Sequence, residues 1–154
     1  MNLRRHARHL AHLLALSCLS SAALAGGTAG CTLENGKTVS LSHLGTAPAY
    51  RYGTAEKEEI TLAAGQRGIT VYKGSVMFSG GGAGYVRFAT GPYSYVAYSG
   101  IGKGWEFTGL VVYKGTKVVM YKSCGTDADA LMMDMDAVHA PEDPSVDDFG
   151  GAPF

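Results

Sequence analysis

The sequence predicts an all-β fold, a small antiparallel barrel or sandwich of about eight strands closed by one disulfide. Between residues 31 and 124, short runs rich in Val, Ile, Tyr, Phe and Thr alternate with turns marked by Gly or Gly-Pro. No segment of this region has the apolar period of a helix. Two cysteines, Cys31 and Cys124, stand at the two ends of the region. A short acidic helix or tail is expected to follow it.

The first 25 residues have the pattern of a secretory signal peptide. Arg4, Arg5 and Arg8 form a positive region, an apolar run follows, and Ala23-Leu24-Ala25 provides a small-x-small cleavage site. The apolar run is too short to span a bilayer as a helix. We therefore predict a signal peptide over 1–25, a secreted β domain over 26–124 and an acidic tail over 125–154, in a periplasmic or secreted protein without a membrane span.

The cysteines allow two interpretations. Cleavage of the predicted signal peptide removes Cys18 and leaves Cys31 and Cys124. In an oxidising compartment these two cysteines are expected to form one disulfide. The tetrapeptide ending at Cys31, Thr-Ala-Gly-Cys, also resembles a lipobox, so a lipid anchor at Cys31 is the alternative. Lipidation would leave Cys124 as a lone thiol.

Charge is segregated along the chain, although the formal net charge of the whole sequence is zero. Residues 125–154 contain acidic residues and no Lys or Arg, so the chain without its leader has ten basic and thirteen acidic residues and a net charge of −3. A block of like charge with Pro and Gly is typical of a solvated tail. Thr126 could cap a short helix through Ala137, and we expect disorder from Pro141 onward.

The strands can be placed from local signals. Asn35-Gly36 predicts a hairpin between two short runs, and residues 49–52 and 58–62 form two further short strands. Val-Tyr-Lys-Gly occurs at 71–74 and again at 112–115, which predicts two similar hairpins that each turn at Lys-Gly. The other runs are ITVYK, SVMFS, GYVRFA, YSYVAYS, GLVVYK and KVVMYKS.

The glycine-rich segments do not match phosphate-binding loops. Neither the run at 80–84 nor the one at 100–104 completes a P-loop or dinucleotide motif, and no helix is predicted after either. We therefore interpret both as turns that need positive φ or a close backbone approach. Such loops can also form surface elements for a partner.

A face of Tyr and Arg side chains is the predicted partner-binding surface. Tyr85 and Arg87 alternate in one strand and Tyr93 and Tyr95 in the next, and these residue types are favoured at binding hot spots. The alternative is that these tyrosines are half-buried strand residues, which β propensity alone would explain.

The chain offers little catalytic chemistry. After removal of the leader its histidines are His43 and His139, and neither has an obvious nucleophile and acid nearby in sequence. We predict no catalytic residues and no cofactor, and keep an envelope hydrolase as an alternative. Met132, Met135 and His139 follow at helical spacing and would suit Cu(I), so a periplasmic copper-binding protein is a further alternative. The competing interpretation is a methionine-rich helix resting on the barrel.

Residues 31–124 resemble a group of small secreted proteobacterial proteins of uncharacterised function. The shared pattern runs from a cysteine through NGK, YRYG, GGG with Y-RF, and YV-YSG-GKG to a final cysteine. In this chain it is carried by Cys31, Asn35-Gly36-Lys37, residues 50–53, Gly80 to Phe88, residues 95–104 and Cys124. The resemblance covers nearly all of the core and none of the tail, and it implies no activity.

The layout is also similar, more distantly, to the inhibitors of c-type lysozyme, which are small disulfide-linked β-barrels that present a Ser-Gly-x-x-Tyr loop to the enzyme. The resemblance implies that Ser79-Gly80 and Tyr85 contact the partner, with Lys103 as a second contact, although two extra residues intervene between Gly80 and Tyr85 in this chain. The leading hypothesis is thus a non-enzymatic binding protein of the cell envelope, an inhibitor or immunity protein against a wall-degrading enzyme. No nucleic-acid partner is expected.

Overall fold

The computed structural model describes residues 26–154, so the predicted signal peptide lies outside the described residues. The all-β prediction is confirmed, because the chain forms two antiparallel sheets, each with its strands in sequence order. The first sheet contains β1 (Ala29–Thr32), β2 (Thr38–Ser42), β3 (Ala49–Gly53) and β4 (Glu58–Ala63). The second contains β5 (Ile69–Phe78), β6 (Gly81–Thr90), β7 (Tyr93–Gly102), β8 (Trp105–Lys114) and β9 (Lys117–Ser123).

Two-residue turns join the strands of the second sheet. They lie at Ser79-Gly80, Gly91-Pro92, Lys103-Gly104 and Gly115-Thr116, and a glycine in each has positive φ. The predicted turn at Lys73-Gly74 is wrong, because β5 continues through it. Gly74 instead provides room for a ring, since a Cβ atom there would overlap the Tyr85 side chain.

The main core lies between the two sheets. The inner face of the second sheet contributes Val86 and Phe88 from β6, and the first sheet contributes Val39, Leu41 and Tyr50. The Tyr50 ring packs against Phe88 with centroids 5.6 Å apart. Apolar residues alternate along these strands because successive side chains point to opposite faces, so the sheets form a sandwich.

The predicted disulfide joins the ends of the β region. Cys31 in β1 is bonded to Cys124, 93 residues further on, just after β9. The backbone adds to this seam, since Leu33 forms a bridge with Cys124 and the Glu34 N–H donates to the Ser123 carbonyl at 2.9 Å. The disulfide thus closes one side of the sandwich.

The acidic tail differs from the expected helix followed by disorder. Residues 128–131 and 135–137 form two 3₁₀ turns, and the first α-helix among the described residues, α1, spans Val146–Phe149. The Asp127 carboxylate accepts a hydrogen bond from the Thr32 N–H at 2.8 Å, which ties the start of the tail to β1. No helix within residues 26–154 is long and apolar enough to cross a membrane.

Residues from Pro141 onward, which we expected to be disordered, pack on the second sheet. The Lys73 N–H donates to the Pro141 carbonyl at 3.0 Å, and the Asp143 N–H donates to the Lys73 carbonyl at 2.7 Å. The tail therefore covers the edge of β5, which would otherwise present unpaired backbone groups. Phe149 then packs on the outer face of the sheet, against Tyr113 at 4.9 Å between ring centroids.

Candidate functional site

Two hairpin turns meet at one end of the second sheet. The Lys103 N–H, in the β7–β8 turn, donates to the carbonyl of Ser79, in the β5–β6 turn, at 3.2 Å. Gly80 has a φ of +84° and Gly104 a φ of +83°, so glycine permits the backbone conformation in both turns. The structure thus brings the predicted residues Ser79, Gly80 and Lys103 together, with all three exposed.

Aromatic rings support these turns on the outer face of the sheet. Phe78 and Trp105, at the bases of the two hairpins, have ring centroids 5.4 Å apart. The Phe154 ring meets Trp105 edge-on at 6.0 Å and remains 64% exposed. We call the group Ser79, Gly80, Lys103, Trp105 and Phe154 the tip surface, which combines two exposed polar turns with an apolar base.

Tyr85 and Arg87 lie away from the tip surface and beneath the tail. Tyr85 is fully buried and Arg87 is 7% exposed, so neither side chain is available to a partner in this conformation. The Asp143 carboxylate accepts two hydrogen bonds at 2.6 Å, from Nε and Nη2 of Arg87, and a third at 3.0 Å from the Tyr85 hydroxyl. The structure therefore contradicts the prediction that these two residues form a binding face.

The buried ion pair is held from several sides. The guanidinium of Arg87 lies 4.5 Å from the Tyr72 ring centroid and 4.3 Å from that of Phe149. Burial alone would raise the pKa of Asp143, but hydrogen bonds from Arg87 and the Ser145 N–H, together with the charge of Arg87, hold that pKa below its usual range. Burial raises the pKa of the Tyr85 hydroxyl, and the negative charge of Asp143 raises it further. The group is therefore a structural anchor for the tail.

Tyr93 and Tyr95 lie on the other face of the sheet. The Gly91-Pro92 turn pairs Thr90 with Tyr93 and Phe88 with Tyr95, so both tyrosines share the inner face of Phe88. Tyr95 packs against Tyr50 with ring centroids 5.7 Å apart, and Tyr93 is exposed at the strand end. The predicted face of four Tyr and Arg residues is therefore wrong, since Tyr85 and Arg87 point outward and Tyr93 and Tyr95 inward.

A methionine-lined groove lies on the inner face, at the end that the first sheet does not cover. It has a volume of about 470 Å³, and the tail turns form one wall. Gly82 and Gly84 of β6 contribute backbone to its lining, without side chains. Four of the six methionines in the sequence line the groove: Met77, Met132, Met133 and Met135. We call this the methionine groove.

The predicted metal set of Met132, Met135 and His139 is only partly assembled. The helix that would have aligned the three residues is replaced by 3₁₀ turns, and His139 lines a separate hollow with Lys73. Met132 and Met135 do share the methionine groove. Across residues 26–154 there is no group of three or more His, Cys, Asp or Glu side chains arranged to hold a metal ion.

The remaining histidine makes a local contact. His43 Nδ1 lies 3.1 Å from the hydroxyl of Ser42, the preceding residue, beside a shallow hollow that Arg51 also lines. Within the described part of the chain, the lining of this hollow includes no carboxylate to orient the imidazole.

Sequence reasoning missed three residues that organise these sites. The tail prediction treats Asp143 as a solvated charge, and none of the predicted sites includes Met77 or Met133. The Ser79-Gly80 turn could have placed Met77, because a two-residue turn there pairs Met77 with Gly82 and puts both on the same face of the sheet. The sequence contains no comparable local signal for Asp143, which is 56 residues from Arg87.

No protein-family model, curated protein or solved structure matches this chain. The resemblances to small secreted proteins and to lysozyme inhibitors therefore remain predictions.

Proposed function

We propose that this protein is an exported, non-enzymatic binding protein of the cell envelope that inhibits a wall-degrading glycosidase through the tip surface. The observation that carries the proposal is the contact between the Ser79-Gly80 and Lys103-Gly104 turns, beside the exposed Lys103 side chain. We interpret the two turns as one protrusion that presents a cation. The aromatic base of Trp105 and Phe154 supplies the type of apolar anchor that is enriched at binding hot spots.

A glycosidase cleft is complementary to such a protrusion. These enzymes carry a pair of carboxylates flanking the bond that they cleave. A Lys103 ammonium inserted between the carboxylates would form charge-assisted hydrogen bonds in a partly desolvated site. The Ser79 hydroxyl can both donate and accept a hydrogen bond beside it. The protrusion would thus occupy the position of the substrate.

The packing of the tail supports attraction to a basic partner. Because residues 127–149 contact the sandwich, their acidic side chains belong to the same body as its basic residues. The chain without its leader carries a net charge of −3, which favours encounter with a cationic lysozyme. The predicted signal peptide and the Cys31–Cys124 disulfide support a periplasmic or secreted location.

The test is capture of lysozymes by the oxidised chain 26–154, with wall-cleaving activity measured in parallel. We expect a bound enzyme to lose activity. Lys103→Glu should weaken the inhibition at least about tenfold, because the cation would be replaced by a charge that repels the carboxylates. Lys117→Glu is the matched control, because the substitution changes the net charge by the same amount. Lys117 follows the β8–β9 turn, at the end of β8 that lies opposite the tip surface.

Two results would contradict the proposal. The first is that no glycosidase of a panel covering the lysozyme classes is captured or inhibited. The second is that Lys103→Glu and Lys117→Glu inhibit equally, which would place the contact elsewhere on the protein.

A further inference from the structure

The methionine groove takes no part in the proposed inhibition. The groove is lined by inner-face residues of the second sheet, namely the cross-strand pairs Met77–Gly82 and Ile101–Glu106. Phe78 and Trp105, beside the two turns of the tip surface, point to the outer face. The two surfaces therefore lie on opposite faces of the same sheet end. Binding in the groove is therefore independent of the proposed inhibition.

We propose that the methionine groove binds a Cu(I) ion through methionine thioethers. Met77 approaches from β5, and Met132, Met133 and Met135 approach from the tail turns. Two distant parts of the chain thus bring four soft donors to one cavity. Thioethers select Cu(I) over the hard divalent cations, which prefer oxygen ligands.

The glycines of β6 leave room for the sulfur atoms. A Cβ atom at Gly82 would lie 2.7 Å from the Val76 carbonyl oxygen and 3.0 Å from the Met77 Sδ, and one at Gly84 would lie 3.0 Å from the Met135 Cγ. A side chain at either position would therefore crowd one of these methionines. The bare backbone at these two positions gives thioethers access to the centre of the groove.

The exposure of two of the methionines argues against a purely structural role. Met133 and Met135 are half-buried and pack against the main core, which accounts for their apolar character. Met77 is 87% exposed and Met132 is 63% exposed, so packing accounts for neither. Exposed thioethers beside an open groove are free to turn toward a ligand, because methionine has three rotatable side-chain bonds.

The groove also carries negative charge without a competing soft or imidazole ligand. Glu106 and Asp129 line its rim, and either carboxylate would attract a cation and offset its charge. Neither histidine nor cysteine occurs in its lining among the residues that the structure describes, and Cys31 and Cys124 are consumed in the disulfide. The donor set therefore favours Cu(I) over Zn(II) or Cu(II).

This site differs from the one that the sequence suggested. It retains Met132 and Met135, adds Met77 and Met133, and excludes His139. The imidazole therefore provides a test between the two sets. His139→Ala should leave Cu(I) affinity unchanged if the thioethers form the site.

The experiment is an anaerobic Cu(I) titration of the oxidised chain 26–154 against a coloured Cu(I) chelator. We expect one equivalent of Cu(I) to be taken from the chelator. The double variant Met77→Leu/Met132→Leu should lower the Cu(I) affinity at least about tenfold. Loss of a residue that only surrounds a metal ligand already lowers metal affinity by about 10–100-fold, and this variant removes two ligands. Leucine has a similar volume and both sites are exposed, so the variant should keep the wild-type unfolding curve.

Met120→Leu is the matched control. Met120 packs against the main core and does not line the groove, so its replacement should leave the titration unchanged. X-ray absorption of the loaded protein should show sulfur neighbours around the copper and no imidazole scattering. The proposal is overturned if no Cu(I) is taken up, if the double variant binds as tightly as the wild type, or if imidazole is found in the coordination shell.

Discussion

Replacing Asp143 by alanine should be among the most damaging single changes in this protein. Its carboxylate is fully buried and faces the guanidinium of Arg87, whose side chain is 8% exposed. Asp143→Ala would leave that cation with the Ser94 hydroxyl, at 3.2 Å, as its remaining hydrogen-bond partner within the described chain. It would also remove the acceptor of the Tyr85 hydroxyl.

The expected loss follows from the cost of a buried, uncompensated charge. Removing one partner of a buried ion pair costs about 3–5 kcal/mol of unfolding free energy. Release of the tail would limit this cost, because water could then reach Arg87. In that case residues 141–149 should become sensitive to protease and to hydrogen exchange, while the disulfide-linked sandwich stays folded.

Urea unfolding of the oxidised chain measures the loss, and Glu142→Ala is the control. Glu142 is adjacent in sequence, but its side chain is 76% exposed and lies 3.6 Å from Lys73. Because the Glu142 carboxylate is largely exposed, we expect this pair to contribute about 0–1 kcal/mol. If Asp143→Ala cost less than about 1 kcal/mol and left the tail protected, the conclusion that this ion pair anchors the tail would be refuted.

The same carboxylate predicts a dependence on acid. The pKa of Asp143 is lower in the folded protein than in the unfolded chain, so near and below its ordinary value of about 3.9 the unfolded chain binds more protons. The stabilisation is present above that pH and is lost as the pH falls toward the folded pKa. Asp143→Asn should therefore be less stable at pH 7 and lose less on acidification than the wild type.

Three other substitutions test separate parts of the fold. Tyr50→Phe should raise the unfolding free energy by up to about 1 kcal/mol, because the buried Tyr50 hydroxyl has no hydrogen-bond partner within residues 26–154, and a clear loss in urea unfolding would contradict this. Gly74→Ala should cost about 1–3 kcal/mol, because a methyl group there would overlap the Tyr85 ring, and a neutral result would show that the ring moves easily. Replacing both Cys31 and Cys124 by alanine should cost about 4–5 kcal/mol by the chain-entropy treatment, and an unchanged urea midpoint would contradict it.

The strands were predictable because their signals are local, and the disulfide was predictable from the number of cysteines. Runs of β-branched and aromatic residues between glycines define most strands, and Asn35-Gly36 defines the first hairpin. Cys31 and Cys124 are the two cysteines outside the predicted signal peptide, and they form the disulfide. Lys73-Gly74 was misassigned because a glycine can permit either a turn or the close approach of a ring, and the sequence alone does not distinguish the two.

The binding face was mispredicted because it depended on strand register. Gly91-Pro92 is a two-residue turn, so Thr90 lies opposite Tyr93. Tyr93 therefore shares a face with the even-numbered residues of β6, and Tyr85 points the other way. A shift of one residue in the register moves every side chain of a strand to the other face of the sheet. The alternation of side chains within each strand therefore does not decide which residues of neighbouring strands share a face.

The tail was mispredicted because its composition resembles that of a solvated segment. Few apolar residues are spread among its carboxylates, but Leu131, Val138 and Phe149 are each buried against the sandwich. Asp143 is indistinguishable in sequence from its acidic neighbours, and only the position of Arg87 beneath it makes it an anchor. Long-range pairing of this kind leaves no local pattern.

The layer formed by Asp143 to Phe149 has a consequence for biosynthesis. These residues are synthesised after every strand of the sandwich. Arg87 and the apolar outer face of the second sheet therefore stay uncovered until residues 143–149 have been made. A chain that stops short of residue 143 would expose Tyr98 and Val111, which are buried in the cluster that contains Phe149. Such chains should be prone to aggregation and degradation, so that a durable product requires translation through Phe149.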